Sequence, residues 1–272
     1  MPAAIASQSH PAFEIVGGNA AGGLLILCDH AQASIPAEYA DLGLSQAQLA
    51  RHIAYDIGAE TVARTLAAEL HAPAVMSRFS RLLIDPNRGT DDPTLVMRIA
   101  DGAIVPGNAR IGQAEIDARI ARFYEPYDVA IAHTLDAMQA AGAGTVRPNP
   151  AVVSMHSFTP SMKGIDRPWH ITVIWDFDPR LNRMLLDALQ RESDLVVGEN
   201  EPYQGGYAGD TIDRHCLKRG LAHVLVEIRQ DLIDNAPAAE AWGKRLAGIL
   251  RPLLADPILY EQHHYGAHPV IA

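Results

Sequence analysis

Short apolar runs that close on charged or imidazole side chains recur along this chain, with helix-length patterns between them. Such alternation builds an α/β domain around a mainly parallel mixed sheet flanked by helices, because parallel neighbours need a crossover connection. The runs predict strands at Leu24–Cys28, Ala74–Ser77, Arg81–Ile84, Ala151–Met155, His170–Trp175, Leu195–Val197 and His223–Ile228. Helical spacing covers Ser45–Leu70, with a break near Asp56, then Gln113–Ala141, Pro179–Glu192, Thr211–Arg219 and Pro237–Leu250. Pro126 predicts a kink in the second of these, since proline cannot donate to the preceding turn. Two stretches fit neither period: Asn87–Ile111, rich in Asp, Gly and Pro, and Gly198–Asp210. Long loops in a compact chain are often functional. No repeat or linker composition divides the 272 residues, so a single domain over 1–272 is expected.

In open α/β sheets, ligands bind beyond the carboxyl ends of the strands, which makes the residues after each run the first candidates. Asp29-His30 follow the first run, Asp85-Pro86-Asn87-Arg88 the third, and His156-Ser157 the fourth. The last run carries Glu227 and continues into Arg229-Gln230-Asp231. Each group alone has a plain structural reading: a satisfied histidine, a turn network of Asp85 with Arg88, a Glu227–Arg229 pair. Together they are a costly way to build structure only, because buried charge needs a partner or a metal. The set suits a catalytic zinc, which takes three His or carboxylate ligands and leaves a fourth position for water. A nearby carboxylate then handles the proton, while Arg or Asn stabilises the oxyanion. His30 and His156 are the nitrogen ligands in that scheme. Ala33 stands where the simplest third ligand, three residues after the first histidine, would fall. Asp56, on the next helix and able to point back to the same rim, and Asp29 are the two candidates for that place.

Composition narrows the partners. Hydrophobic residues at 48% and charged residues at 20% are globular proportions. A net charge of -10 argues against nucleic acid, which needs a basic face, but leaves room for a small anionic substrate held by local arginines. Two cysteines make no disulfide framework, and no secretory signal or membrane-length apolar stretch is evident, so a cytoplasmic protein is expected. Ser154 and Ser157 lack the G-x-S-x-G context of a serine hydrolase. Gly17-Gly18 and Gly22-Gly23 precede the first strand, the reverse of a dinucleotide fingerprint.

Taken in order, several segments resemble the N-formylglutamate amidohydrolase family. They are Asp29-His30-Ala31, Asp56-Ile57-Gly58-Ala59, Ser80-Arg81 through Asp85-Pro86-Asn87-Arg88, His156-Ser157-Phe158-Thr159-Pro160 and Glu227-Ile228-Arg229-Gln230-Asp231. The resemblance spans roughly residues 22–235 and implies a zinc-peptidase-like fold related to metallocarboxypeptidases and aspartoacylases. It implies one zinc per chain on His30 and His156, with Asp56 or Asp29 completing the set. It further implies Glu227 as general base and acid and Arg81 as the group polarising the scissile carbonyl. Asn87 and Arg88 would hold the substrate carboxylate, with Arg229 beside them. The activity so implied is removal of a small acyl group, formyl above all, from an acidic amino acid, as in amino-acid and histidine degradation. The alternatives are a zinc carboxypeptidase or other peptide amidase, and a binding protein that keeps the fold without catalysis. Trp169, Trp175 and Tyr203 are aromatic candidates for the pocket wall.

Overall fold

The apolar runs become strands whose pairing order decides which of the polar residues after them can meet. The computed structural model describes residues 10–266. Its strands are β1 (Phe13–Val16), β2 (Leu24–Cys28), β3 (Ala74–Ser77), β4 (Ile99–Ala100), β5 (Ala103–Ile104), β6 (Ala151–Phe158), β7 (Ser161–Met162), β8 (Ile165–Asp166), β9 (Ile171–Ile174), β10 (Val197–Glu199) and β11 (His223–Arg229). The helices are α1 (Gln46–Leu49), α2 (Ala59–Leu70), α3 (Gln113–Arg119), α4 (Glu125–Gly142), α5 (Arg180–Leu189), α6 (Thr211–His215) and α7 (Ala236–Leu253). Seven strands form one sheet in the order β1-β3-β2-β6-β11-β9-β10, and the remaining four form two small hairpins. β3, β2, β6 and β11 run parallel, while β1 and β9 pair antiparallel to their neighbours β3 and β11. This is a mainly parallel mixed sheet in one α/β domain. Among the described residues, no helix is long and apolar enough to cross a membrane.

Every residue of β2, β3, β6 and β9 is buried, as strands covered on both faces must be. Successive side chains alternate between faces. Leu24, Ile26, Val153, Met155, Val224 and Val226 pack with Val62, Leu66, Leu185, Leu246 and Leu250 of α2, α5 and α7. Leu25, Leu27, Val75, Val152 and Leu225 point the other way, toward Phe79, Phe123, Tyr127 and Leu135. By the same alternation, His156 and Glu227 share that second face with Val152 and Leu225.

Several sequence expectations need correction. Arg81–Ile84 is a turn, not a strand. Its three apolar residues are buried in the second core, and backbone bonds from Ser80 to Ser34 and from Arg81 to Ala54 hold the turn in place. Burial, not strand pairing, explains that run. Ser45–Leu70 splits into α1 and α2, with Asp56 in the intervening segment. The expected kink near Pro126 is a π-helical turn, Ile120–Tyr124, directly ahead of α4, whose first turn holds the proline. β1, which lies antiparallel on β3, had no counterpart among the predicted strands. The last strand before the second loop is shifted, to Val197–Glu199.

Gly58 makes the break before α2 possible. It adopts φ +79°, and a Cβ there would lie 2.1 Å from the carbonyl oxygen of Ile233. Gly58→Ala therefore combines left-handed strain with a backbone clash. Denaturant unfolding should show a loss of at least about 2 kcal/mol, and an unchanged midpoint would mean the turn relaxes freely.

Candidate active site

The site begins at the end of β2, where the chain leaves the sheet through Asp29 and His30. The backbone N–H of Asp56 donates to His30 O at 2.9 Å, which fixes the segment ahead of α2 against that strand end. From β6, the neighbour of β2 on the side away from β3, His156 projects on the same sheet face as Val152, and Ser157 Oγ donates to Ile57 O at 2.8 Å. These contacts bring His30, Asp56 and His156 together as a buried group whose ligand atoms lie within 4.8 Å of one another. Nδ1 of His30 and Nδ1 of His156 lie 3.4 and 2.8 Å from Asp56 Oδ2.

What stands behind each imidazole matters as much. His30 Nε2 is 2.7 Å from Asp85 Oδ1, and His156 Nε2 is 3.2 Å from Asp29 Oδ2. A carboxylate that accepts from Nε2–H fixes the tautomer and leaves the Nδ1 lone pair free, the usual support of a metal-bound histidine. Asp29 is itself held by Tyr127 Oη and Thr211 Oγ1, each at 2.9 Å. Of the two carboxylates considered for the third ligand, Asp56 faces both Nδ1 atoms and Asp29 stands behind His156. The set fits a divalent cation: two imidazoles and a carboxylate converge, and two further buried carboxylates stand behind the rings.

The electrostatics divide the acids into two kinds. Burial would push Asp29 up, but the hydrogen bond and charge of His156 hold it at about 2. Asp56 is lowered against its burial by His30 and His156, and Asp85 is lowered by Arg81 and His30. His156 is raised well above the usual imidazole value, since Asp29 and Asp56 outweigh its burial. Glu227 goes the other way. It sits opposite His156 in the β11–β6 register, is 8% exposed, and leaves Oε2 without a hydrogen-bond partner. Burial pushes it up to about 7. Carboxyl groups tuned apart in this way are the mark of acid–base sites.

These side chains line one cavity together with Arg81, Asn87, Arg88, Ser157, Ile174, Tyr203, Gly205, Tyr207, Asp210 and Leu225. Its volume of about 140 Å³ corresponds to roughly five waters at about 30 Å³ each, the scale of one small molecule. Asn87 Oδ1 accepts from the Thr211 amide at 3.0 Å, which leaves its Nδ2 donors for a ligand. Arg88 lies with its guanidinium carbon 5.0 Å from the centre of the Tyr207 ring. Arg81 reaches the cavity while pairing with Asp85 at 2.8 Å and Asp56 at 3.4 Å. Arg229 does not line it. That side chain turns to Asp231 at 2.7 Å and to the carbonyls of Arg167 and Pro168, so it neither faces the cavity nor pairs with Glu227. Trp169 and Trp175 also stay outside, whereas Tyr203 is part of the wall.

Sequence reasoning missed Asp29 and Asp85 as histidine supports, although both stand in the segments it singled out. It also missed Tyr207 and Asp210, from the Gly-rich loop before α6. Asp210 accepts from the Asp213 amide at the start of that helix, and burial pushes it up to about 6.

The sequence matches the N-formylglutamate amidohydrolase family over residues 22–234. No curated protein is similar enough to match. Among solved structures, a gene product of Agrobacterium tumefaciens is 36% identical, with 89% of this chain and 94% of that one covered and a TM-score of 0.82. The N-formylglutamate amidohydrolase of Ralstonia eutropha is 20% identical, with 88% and 98% covered and a TM-score of 0.59, a likeness of fold. The matched segment takes in every residue that lines the cavity, from His30 to Glu227. A family of hydrolases acting on amides thus claims the whole pocket, and this protein belongs to it, the N-formylglutamate amidohydrolase family.

Proposed function

We propose that the protein hydrolyses the N-acyl amide of an acidic amino acid, N-formyl in the simplest case, with one zinc per chain held by His30, Asp56 and His156. The observation that carries this is the convergence of two carboxylate-backed imidazoles and Asp56 on a cavity that also holds an unpartnered, neutral-poised Glu227. Zinc in that position supplies Lewis acidity, which makes a water nucleophilic near neutral pH and polarises an amide carbonyl. Glu227 Oε2 takes the proton of the attacking water and returns it to the leaving amine nitrogen, giving a carboxylic acid such as formate and the free amino acid. Arg88 and Asn87 hold the substrate carboxylate. Arg81 holds Asp85 ionised, pairs with Asp56, and offers its remaining donors to the carbonyl oxygen. Glu227 with an open oxygen favours this over a binding protein without catalysis. The cavity's small volume favours an acyl amino acid over a peptide. We place the activity in a single catalytic domain in the cytoplasm, on a small anionic substrate of amino-acid catabolism. Cys28 and Cys216, both buried and free, suit a reducing compartment.

Metal dependence distinguishes the two aspartates. Asp56→Ala should abolish stoichiometric zinc, while Asp29→Asn should weaken it by roughly 10- to 100-fold, as expected for a group that supports a ligand. Elemental analysis and chelator titration read both, and a folded Asp29→Asn variant that loses metal before Asp56→Ala does would reverse the assignment.

Glu227→Gln removes the basic oxygen and keeps the shape. It should lower kcat by roughly 10²- to 10⁴-fold with zinc content retained. Since the carboxyl is buried with an unpaired oxygen, the neutral amide should hold or raise the melting temperature. A destabilised but fully active variant would move the base elsewhere.

Arg88→Lys cannot reproduce a two-point grip on a carboxylate. It should raise KM for an acidic acyl amino acid by about tenfold or more with kcat little changed, and steady-state kinetics showing wild-type KM would remove Arg88 from recognition.

A further inference from the structure

Resting on the amidohydrolase reading, we propose that Tyr203, backed by the buried guanidinium of Arg167, is a second carboxylate subsite that selects dicarboxylate substrates. Arg81 and Arg229 are engaged by acidic side chains, as described above. Arg88 and Arg167 have no ion pair among the described residues. Arg167 is 9% exposed, yet its Nη1 donates only to Thr159 Oγ1 at 2.9 Å and Tyr203 Oη at 3.5 Å, and its Nη2 contacts the Met162 sulfur at 3.4 Å. A guanidinium is always charged and carries five donors. Burying one against a hydroxyl, a phenol and a thioether leaves its charge without a counter-ion.

Arg88 and Arg167 are matched in setting. Arg88 lies 5.0 Å from the centre of the Tyr207 ring and Arg167 lies 5.3 Å from that of Tyr203. Both tyrosines belong to the loop between β10 and α6, and both line the cavity. Two tyrosines of the cavity wall are thus each backed or flanked by an arginine that has no acidic partner among the described residues. Arg88 reaches the cavity itself, whereas Arg167 stands behind its tyrosine. Tyr203 Oη accepts from Arg167, which leaves the phenol O–H to donate to a carboxylate in the cavity. Burial pushes Tyr203 up to about 12, so it remains a donor at neutral pH. Tyr203 is then the contact to the second carboxylate, and Arg167 is a positioning residue that acts through it.

The test compares N-formylglutamate with N-formylglutamine, which differ in one carboxylate at constant shape. The wild-type kcat/KM should favour the diacid by roughly 10- to 100-fold. Tyr203→Phe and Arg167→Gln should each remove most of that preference by raising KM for the diacid. The double variant should be no worse than Tyr203→Phe alone. Equal kcat/KM for the two substrates in the wild type, or variants that lose both substrates equally, would overturn the subsite. Zinc content and melting temperature on the same preparations separate loss of recognition from loss of fold. If neither compound is hydrolysed, the amidohydrolase reading fails by itself, and calorimetry decides the subsite. Glutarate bound more tightly than butyrate, with the difference gone in Arg167→Gln, would uphold it, and equal binding would overturn it.

Discussion

Three aspartates, Asp29, Asp56 and Asp85, are buried beside one another, and they remain ionised because two imidazoles and one guanidinium lie among them. Like charges at such separations repel strongly in a low-dielectric setting. Asp56 is shared by His30 and His156, while Asp85 is shared by His30 and Arg81. Each bond therefore depends on its neighbours, and each imidazole is pinned from both nitrogens. Structure and chemistry draw on the same network. The bonds that make burial tolerable also leave both Nδ1 atoms aimed at one point, where a dication would offset the surplus negative charge.

Glu227 stands outside this network, and the contrast gives the site its direction. It lies one strand over from His156, in register with it, yet no bond satisfies its Oε2. The aspartates are pulled down by their partners, and Glu227, without one, is pushed up by its burial. Asp29, Asp56 and Asp85 are thus fixed anions, whereas burial pushes Glu227 up to about 7 and Asp210 up to about 6. The β11–β6 register places Glu227 on the same sheet face as His156, while the side chain of Arg229 turns toward Asp231.

The loop before α6 supplies a further wall of the cavity. It contributes Tyr203, Tyr207 and Asp210, of which sequence patterns single out Tyr203 alone. Its anchoring is local and polar: Asp210 accepts from the Tyr207 and Asp213 amides, and Thr211 donates to Asn87 and Asp29. This wall of the cavity is therefore tied by hydrogen bonds to the group that supports His156.

Much of this is legible in the order of residues alone. Apolar runs at strand length, separated by helical spacing, point to a mainly parallel α/β sheet, and the rule that ligands gather at strand ends picks out His30, His156 and Glu227; Asn87 and Arg88 line the same cavity, but the run ahead of them is a buried turn. The fold is legible because strand periodicity and the burial cost of charge are local properties that a sequence displays directly. The choice between Asp29 and Asp56 is not of this kind. Asp29 adjoins His30 in sequence, but the backbone bond from Asp56 to His30 O and the left-handed turn at Gly58 bring the more distant carboxylate to face both rings. Nor can a sequence show that Arg81–Ile84 is a buried turn, that Arg229 is occupied by Asp231, or that Arg167 lies behind Tyr203. Residue types and spacing determined which chemistry was present; the tertiary structure decided which groups meet, because partners far apart in sequence are chosen by packing and by the competition among charges for counter-ions.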